Sequence, residues 1–397
     1  MQVVSTQNEL IEWASQVGRP SPVLPLPERL QSIQDKIVRQ LAEVCRYAEA
    51  DSALLFNDMV SYIEWSGSRA NPSLTRPIEG LRSQHARIEY RCYPVTVICL
   101  PSNATVPLAG ILAYEAEQLG ASVVLSPPAG QESIVLTVLG ALDVSDNVAV
   151  WMGRSRDLVA WSLAHRLVEQ IYFLGASTIY PQLAMDCARA GTQLRFEGQG
   201  DGMAYVGASA DLISASKALV EAKRFCEGRM CSSPSGVLLH RDVVGDFLQM
   251  FEEAAASVDL REPLELSVTD RTWRAGLQAE VGSDWTRIRR PTLIARPDVQ
   301  PGESFSPVAW WSVVSSIDEL RAELSRTPYR LQVSYFGSDA EEEHVITSAR
   351  FARVCLNMNP ADQDPILPWG NYGLSGDSPL MTFGEKLQFT QLVEGTL

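Results

Sequence analysis

Residues 95–125 decide the fold, and they read VTVICLPSNATVPLAGILAYEAEQLGASVVL. The first apolar run, Val95 to Leu100, has the length and composition of a buried strand. A helix-like segment follows at Val106 to Leu119, and a second apolar run follows at Ser122 to Leu125. A strand, a helix and another strand in succession form a βαβ unit, which indicates a parallel sheet.

The same alternation continues on both sides of this unit. Downstream, strands are expected at residues 147–151, 170–174, 193–196 and 203–206, with helices at 131–142, 158–168, 180–190 and 211–225. Beyond Cys231 a second alternating region runs from residue 236 to residue 335. Upstream, residues 1–70 are expected to be largely helical, and residues 66–77 have the composition of a linker. The pattern predicts an α/β fold that begins with a doubly wound, nucleotide-binding architecture.

Composition and charge exclude several classes of partner. The chain carries a formal net charge of −15 and a pI near 4.8, so its surface repels phosphate backbones and nucleic acid is not an expected partner. The first residues lack the basic segment and the following apolar segment of a signal peptide. No apolar run is long enough to span a membrane. The seven cysteines are scattered without zinc spacing. We therefore expect a reduced, cytoplasmic protein without a membrane segment or a metal site.

Four polar residues have positions and chemistry that suit covalent catalysis on a carbonyl group. Asn103 follows the first strand of the βαβ unit, Glu197 follows the strand expected at 193–196, and Cys231 follows a helix and a glycine. Glu303 lies in a later loop. A thiolate can attack a carbonyl carbon, an amide can stabilise the oxyanion, and a carboxylate can activate water to cleave a thioester.

The segments around Glu197 and Cys231 resemble two motifs of the aldehyde dehydrogenases. EGQGDGMAYVGASADL at residues 197–212 is similar, without a gap, to the family signature ELGGKSPxIVxxDADL. GRMCSSPSGVLLH at residues 228–240 is similar to GQxCxAxxRxxVH. The 34 positions between Glu197 and Cys231 match the separation that the family keeps between its base and its cysteine.

Further motifs follow in the family's order and extend the resemblance over roughly residues 95–397. PSN at 101–103 resembles PWN, LGASVVL at 119–125 resembles AGNTVVLKP, FLGAS at 173–177 resembles FTGST, ESFSPV at 303–308 resembles EIFGPV, and PWGNYGLSG at 368–376 resembles PFGGYKxSG. The resemblance implies an aldehyde dehydrogenase-like fold, with a Rossmann-type cofactor domain, an α/β catalytic domain and a small C-terminal oligomerisation strand.

The resemblance also implies roles for particular residues. Cys231 would be the nucleophile, Asn103 and the Cys231 backbone N–H would bind the oxyanion, and Glu197 would be the base for deacylation. The cofactor would be NAD or NADP, held by Ser126, Gly153, Gly175, Ala176, Glu303 and Phe305. Among these, Glu303 would bind the nicotinamide ribose and Phe305 would pack near the nicotinamide ring.

Departures from the family motifs bear on cofactor choice and on assembly. Ser126 and Ala129 stand where the family has Lys and Glu, and loss of that Glu makes NADP admissible. Arg154 and Arg156 could supply the positive charge for a 2′-phosphate. Asp201 replaces a family Lys and could alter how Glu197 is presented. The N-terminal part is short, so we expect a bridging hairpin to be missing or reduced.

The expected domains are an N-terminal helical segment (1–70), a Rossmann-like NAD(P)-binding domain (71–228) and a catalytic domain that carries Cys231 (229–365). Residues 366–397 are expected to return to the cofactor domain and to end in an oligomerisation strand. The strand-like residues 388–393 have no partner strand nearby in sequence. A terminal strand of this kind often pairs across a subunit interface, which predicts a homodimer.

Three functions remain open. The first is NAD(P)-dependent oxidation of an aldehyde to a carboxylic acid through a thiohemiacetal and a thioester on Cys231. The second is NAD(P)H-dependent reduction of an acyl thioester, on CoA or a carrier protein, to an aldehyde through the same acyl-enzyme. Retention of Glu197 favours the first. The third, a non-catalytic protein on the same scaffold, is disfavoured because Cys231, Asn103, Glu197 and Glu303 are all retained.

Overall fold

Strands and helices alternate along most of the computed structural model, which describes residues 1–16, 28–68, 75–78, 85–165, 168–258, 288, 290–296 and 302–395. Within these ranges the strands are β1 (Gln2–Val4), β2 (Thr75–Ile78), β3 (His85–Cys92), β4 (Thr96–Cys99), β5 (Val123–Ser126), β6 (Val148–Trp151), β7 (Gln170–Leu174), β8 (Gln193–Glu197), β9 (Gly202–Val206), β10 (Pro234–His240), β11 (Thr292–Ala295), β12 (Val308–Val314), β13 (Gln332–Phe336), β14 (Arg353–Leu356) and β15 (Gln388–Gly395). The helices are α1 (Gln7–Gln16), α2 (Glu28–Val44), α3 (Glu49–Ser68), α4 (Thr105–Leu119), α5 (Glu132–Leu142), α6 (Ser155–His165), α7 (Tyr180–Ala190), α8 (Leu212–Arg224), α9 (Val244–Ala256), α10 (Ile317–Arg326), α11 (Ala340–Ser348) and α12 (Phe383–Lys386). The α/β pattern expected from the sequence is confirmed.

The first sheet is built around the βαβ unit of residues 95–125. Its six strands are all parallel and have the order β1-β6-β5-β4-β7-β8. Successive residues of a strand point to opposite faces, and in β4 Val97 and Ile98 accordingly belong to different cores. Helices α2 to α5 cover one face, and α1, α6 and α7 cover the other. This is the predicted doubly wound arrangement.

The second sheet also has six parallel strands, in the order β11-β12-β10-β9-β13-β14. On one face, Leu219 of α8 and Phe247 of α9 pack against the sheet. On the other face, α10 and α11 contribute Leu320 and Ile346. Both faces are covered, which explains why strands such as β10 and β13 are buried along nearly their whole length.

The boundary between the two sheets lies earlier than the expected domain limit at residue 228. Strand β8 ends the first sheet at Glu197, whereas β9 begins the second sheet at Gly202. Only four residues separate these strands, and two neighbouring apolar runs give no sign that they belong to different sheets. Glu197, the predicted base, therefore lies where the chain crosses from one sheet to the other.

The N-terminal segment contributes to the first sheet as well as to its helical layer. Residues 2–4 form β1 and pair in parallel with β6, from Gln2 opposite Ala149 to Val4 opposite Trp151. The expectation of a helical segment over residues 1–70 is correct for α1 to α3, but it missed this strand. Three residues are too few to show a strand period.

A third, antiparallel sheet has the order β15-β3-β2 and corrects two expectations about assembly. Strand β15 pairs with β3 of its own chain, from Gln388 opposite Cys92 to Gly395 opposite His85. The C-terminal strand therefore has an intrachain partner, so its pairing does not require a second subunit. The antiparallel pair β2 and β3 is also present, although a hairpin of this kind was expected to be missing or reduced. The linker composition of residues 66–77 concealed β2.

Candidate active site

The principal cavity opens at the carboxyl ends of β4 and β7, where the strand order of the first sheet reverses. The chain proceeds from β4 outward through β5 and β6 on one side and through β7 and β8 on the other. Ligands bind at such switch points in doubly wound sheets. The cavity has a volume of about 640 Å³, and its lining includes Asn103, Gly175, Ala176, Glu197, Cys231, Glu303 and Phe305. The structure thus brings all three predicted catalytic residues and four predicted cofactor residues to one cavity.

Cys231 follows a left-handed turn at the end of α8. Cys226, Glu227 and Gly228 have φ angles of 46°, 55° and 67°, which is unusual for the first two residues. The buried Asp51 of α3 holds this turn, because its carboxylate accepts from the Cys226 N–H and from Arg224 Nη1, each at 2.9 Å. Gly228 is required for space as well, since a Cβ there would overlap the carbonyl oxygen of Ser306.

The corner between α2 and α3 also braces the segment just before the nucleophile. Arg229 Nη2 donates to the Cys45 carbonyl oxygen at 2.6 Å, and the guanidinium lies 4.4 Å from the centre of the Tyr47 ring. The Tyr47 hydroxyl donates to the Asn103 carbonyl oxygen at 3.0 Å. Asn103 Nδ2 in turn donates to the Arg229 carbonyl oxygen at 2.9 Å. These contacts fix Asn103 and the Cys231 segment relative to each other.

The thiol of Cys231 lies in surroundings that disfavour its ionisation. Burial raises the pKa of Cys231 to about 12, and the carboxylates of Glu303 and Glu197 add to the increase. The backbone N–H groups of Cys231 and Ser232 act in the opposite direction. Since a thiolate is the nucleophile, attack on a carbonyl requires that the thiol proton be removed or that a positive charge be brought close.

Glu197 ends β8 and is anchored through one carboxylate oxygen. Its Oε1 accepts from the Tyr172 hydroxyl at 2.7 Å and also contacts Lys386 Nζ. Within the described ranges, Oε2 has no hydrogen-bond donor, and the residue lines the cavity. Lys386 is fully buried, and no sequence pattern marked it because 189 positions separate it from Glu197. Glu197 is therefore fixed at one oxygen and open to the cavity at the other.

Glu303 is held by the loop between the two sheets. Its Oε1 accepts from the Gly200 N–H at 2.9 Å. Burial raises the pKa of Glu303, while the Gly200 N–H and the charge of Lys223 lower it. At Gly200 the loop passes so close to the nucleophile that a Cβ would overlap the Cys231 carbonyl oxygen. The glycine of this motif is therefore a requirement of packing.

Two further ionisable side chains are buried next to Glu303. Burial raises the pKa of Asp201 to about 7, and Glu303 adds to the increase. Burial lowers the pKa of Lys223 to about 7, opposed by Glu303, and its ammonium donates to the Pro234 carbonyl oxygen and to Ser304 Oγ, each at 3.0 Å. Asp201 occupies the position of a family Lys, and Lys223 supplies a cation to this region instead.

The predicted cofactor residues fall into two groups. Gly175, Ala176 and the half-exposed Phe305 line the cavity, as does Glu303. Ser126 is fully buried with its Oγ 2.9 Å from Ser155 Oγ, and neither Ser126 nor Gly153 belongs to the cavity lining. Ser155, which the sequence did not single out, lines the cavity at the N-terminus of α6. Small residues at strand ends and a helix N-terminus fit a dinucleotide with its pyrophosphate.

Away from the predicted cofactor residues, the cavity lining is mainly apolar and includes acidic side chains. Its apolar lining comprises Leu55, Leu108, Ile111, Leu367, Trp369 and Phe383. Asp58 and Asp364 also line it, and burial together with Asp362 and Asp364 raises the pKa of Asp58 to about 6. Trp369 lines the cavity, whereas Trp310 is fully buried against the second sheet. This part of the cavity has room for a small, largely apolar group beside the thiol.

Other kinds of site were sought over the described part of the chain. No group of three or more His, Cys, Asp or Glu side chains there could hold a metal ion. None of the described helices combines the length and apolar character needed to cross a bilayer. All seven cysteines are free thiols.

Comparison with known proteins agrees with this geometry. The model of the aldehyde dehydrogenase family matches residues 19–270, which is more than half of the chain. The D-glyceraldehyde dehydrogenase (NADP(+)) of Picrophilus torridus is 21% identical over 362 residues, covering 82% of this chain and 72% of that protein. A (Z)-2-((N-methylformamido)methylene)-5-hydroxybutyrolactone dehydrogenase of Acinetobacter baylyi is 24% identical over 330 residues, covering 75% and 67%.

Solved structures show the same fold. The lactaldehyde dehydrogenase of Escherichia coli superimposes with a TM-score of 0.82 at 16% identity, over 97% of this chain and 86% of that one. An oxidoreductase from Marinobacter aquaeolei gives a TM-score of 0.80 at 18% identity, over 98% and 91%. The family match, together with the motifs that converge on the cavity, shows that the chain belongs to the aldehyde dehydrogenase family.

Proposed function

We propose that this protein oxidises an aldehyde to a carboxylic acid through a covalent acyl-enzyme on Cys231. As a member of the family it is an oxidoreductase that uses NAD or NADP and acts on aldehydes. The observation that carries the covalent mechanism is that Cys231, Asn103 and Glu197 line the same cavity, next to the residues that suit a dinucleotide. A nucleophile, an amide donor and a carboxylate are the groups that acyl transfer requires.

In the first step the Cys231 sulfur attacks the aldehyde carbon and forms a thiohemiacetal. One N–H of the Asn103 amide is bonded to the Arg229 carbonyl oxygen, and the second N–H is available to the developing oxyanion together with the Cys231 backbone N–H. Because the pKa of Cys231 is raised to about 12, its proton must leave to a base in the cavity. Solvent in the cavity can take this proton, which leaves the Glu197 carboxylate available for the later hydrolysis.

Oxidation then converts the thiohemiacetal into a thioester. When bound, NAD or NADP supplies the hydride acceptor, and Gly175, Ala176, Glu303 and Phe305 would hold it from the cavity wall. Ser126 and Gly153 lie outside the cavity lining and would support the cofactor site indirectly. Ser155 lines the cavity and would contact the cofactor. Arg154 and Arg156, considered for a 2′-phosphate, both face Asp157, at 2.8 and 3.8 Å.

Hydrolysis completes the cycle. Glu197 removes a proton from water as the water oxygen attacks the thioester carbon. The carbon–sulfur bond then breaks to give a carboxylic acid, and the proton held by Glu197 passes to the departing sulfur, which restores the Cys231 thiol and the Glu197 carboxylate. A general base of this kind contributes about 10²- to 10⁴-fold to the rate. Its open oxygen and its anchored oxygen give Glu197 a defined orientation toward the acyl group.

One observation favours the second candidate, reduction of an acyl thioester. The loop after Glu197 departs from the family motif at Gln199 and at the buried Asp201, which changes the segment that presents the carboxylate to water. An acyl-enzyme that water cleaves slowly would persist long enough to exchange with a thiol. The two candidates differ in what accepts the acyl group from Cys231.

A pair of assays distinguishes the candidates. Under our proposal, the protein with NAD⁺ or NADP⁺ oxidises aldehydes from a panel, and NADPH with acyl thioesters gives little turnover. Turnover of thioesters without aldehyde oxidation would reverse this assignment. The Glu197→Gln change should slow steady-state oxidation about 10²-fold or more while a first turnover of NAD(P)H formation remains.

The Cys231→Ala change should abolish turnover in either direction. Cys92→Ala is the matched control, because Cys92 has comparable exposure and does not line the cavity. Activity of Cys231→Ala close to that of the Cys92→Ala protein would contradict any covalent mechanism at Cys231.

A further inference from the structure

Lys386 lies beneath Glu197 and comes from the last helix of the chain. Its helix, α12, begins with a capping box between Thr382 and Glu385. The Lys386 carbonyl oxygen accepts from Gln170 Nε2 at 2.9 Å, which ties the backbone to β7. The side chain is fully buried, and its ammonium contacts Glu197 Oε1 and lies 3.4 Å from the Tyr172 hydroxyl.

The surroundings of the Lys386 ammonium are suited to a charged group. Nζ lies 5.3 Å from the ring centre of Phe383 and 5.7 Å from that of Tyr172, both within the range of cation–π attraction. Burial lowers the pKa of Lys386, and Glu197 opposes this effect by charge and by hydrogen bonding. The carboxylate and the two aromatic rings together stabilise a buried ammonium group, which burial alone would destabilise.

Other charged groups around Glu197 are more remote than Lys386. Those that face it or its partners are Tyr172 on β7, Arg195 on β8, Cys231 and Glu303 across the cavity, Tyr62 with Glu115 behind Tyr172, and Asp377 beside Arg195. Among these groups, Lys386 is the cation in direct contact with the carboxylate. Its removal would leave the charged form of Glu197 with the Tyr172 hydroxyl as its remaining direct donor.

We infer that Lys386 is a positioning residue for deacylation: its ammonium pairs with the Glu197 carboxylate and fixes Oε1, so that Oε2 faces the acyl group on Cys231. This inference rests on the proposed function in that it assigns Glu197 as the base. It concerns a residue outside the catalytic motifs, and it predicts that the C-terminal segment influences the second half of the reaction. Acylation of Cys231 does not require Lys386.

An activated ester isolates the relevant step without any cofactor. With p-nitrophenyl acetate, the Cys231 sulfur bonds to the acetyl carbon, nitrophenolate leaves, and water then releases acetate and restores the thiol. The initial nitrophenolate burst measures acylation, and the steady state measures deacylation. Intact-mass spectrometry of the acetylated protein gives the lifetime of the acyl-enzyme directly.

In Lys386→Met, the burst should keep its amplitude while the acyl-enzyme lives about tenfold longer or more, a part of what a general base contributes. Loss of the cation makes the ionised carboxylate less favourable, so the pH of half-maximal deacylation should move upward. A general loss of structure would not produce this shift with an intact burst.

Two variants serve as controls. Lys386→Arg keeps the positive charge and should keep the pH of half-maximal deacylation near that of the unchanged protein. In a Glu197→Gln background, Lys386→Met should have no further effect on deacylation, because Lys386 acts through the carboxylate.

The inference is overturned if Lys386→Met deacylates at an unchanged or higher rate with an unchanged pH dependence. It is also overturned if the change slows deacylation equally in the Glu197→Gln background, or if the unchanged acyl-enzyme does not hydrolyse. Failure of the proposed function looks different. The protein would then oxidise no aldehyde, while ester deacylation would still depend on Lys386.

Discussion

At the scale of single residues, the site combines a nucleophile that resists ionisation with two carboxylates held by specific donors. Glu303 is held by the Gly200 N–H and Glu197 by Tyr172 and Lys386. Both carboxylates raise the pKa of Cys231 further than burial alone does. Burial and the two carboxylates therefore favour the protonated thiol, which lowers its reactivity toward alkylating agents.

The raised pKa of Cys231 predicts a measurable pH dependence of its alkylation rate. A thiol with a pKa of about 12 gains about tenfold in thiolate for each pH unit from neutral pH upward. In the cofactor-free protein, the alkylation rate of Cys231 by iodoacetamide should therefore still be rising at about pH 10, where an ordinary thiol has reached its plateau. Peptide mass spectrometry distinguishes Cys231 from the other cysteines. A plateau between about pH 6 and 8 would show that the thiolate is stabilised instead.

The sequence predicted the residues of the site that belong to local motifs, and it missed those that come from distant segments. Cys231, Glu197 and Asn103 each lie at or after a strand or helix end that a periodic pattern reveals, and Glu303 lies in the motif at residues 303–308. Lys386 has no such signal, because its partner Glu197 lies 189 positions away and only the folded chain brings the two together. Ser155 was missed for the opposite reason, since serines at helix starts are common as caps.

At the scale of elements, the turn before the nucleophile depends on the corner between α2 and α3. Asp51 is 2% exposed and accepts from both the Cys226 N–H and Arg224. These two hydrogen bonds hold the left-handed conformation of Cys226 and Glu227, which side chains with a Cβ adopt only at a cost. An apolar pattern in the early helices predicted a helical layer, but it could not predict that this layer positions the catalytic turn.

Removing this support should affect both stability and catalysis. Asp51→Ala leaves the Cys226 N–H unpaired in a buried place and should lower the free energy of unfolding by about 2 kcal/mol. Denaturant titration measures this change, and kcat should fall as the turn loses its conformation. The matched control is Glu221→Gln, which removes the half-exposed carboxylate on the same Arg224 and should cost less than about 1 kcal/mol. Equal effects of the two changes would contradict the role given to Asp51.

At the scale of the whole molecule, the alternation of strands and helices predicted two α/β layers but not how the strands divide between them. β8 and β9 are separated by four residues and belong to different sheets, so the expected boundary at residue 228 lies about one helix too late. Hydrophobic periodicity reports which face of an element is buried, and it carries no information about which sheet buries it. The third sheet was hidden for the same reason, because β2, β3 and β15 are distant in sequence.

The homodimer predicted from the sequence remains a prediction, and the exposed edge of the third sheet is the candidate for its interface. Within the described residues, β15 pairs with β3 along one edge, and Leu392 on this strand is 57% exposed. We expect light scattering to give the mass of two chains, and Leu392→Lys to shift the population toward one. Leu356→Lys, on the edge strand β14 of the second sheet, is the matched control and should leave the mass unchanged. A single-chain mass for the unchanged protein would refute the dimer.

The contact between Glu197 and Lys386 also has a consequence for biosynthesis. The ribosome makes Glu197 long before Lys386, which follows it by 189 positions. A nascent chain that closed its first sheet early would bury a carboxylate without its counter-ion, which is unfavourable. We therefore expect the end of β8 to stay open until Lys386 has been translated. Premature stops, clipping of the tail or a bulky C-terminal fusion would affect the chemistry of the active site although they lie far from it in the gene.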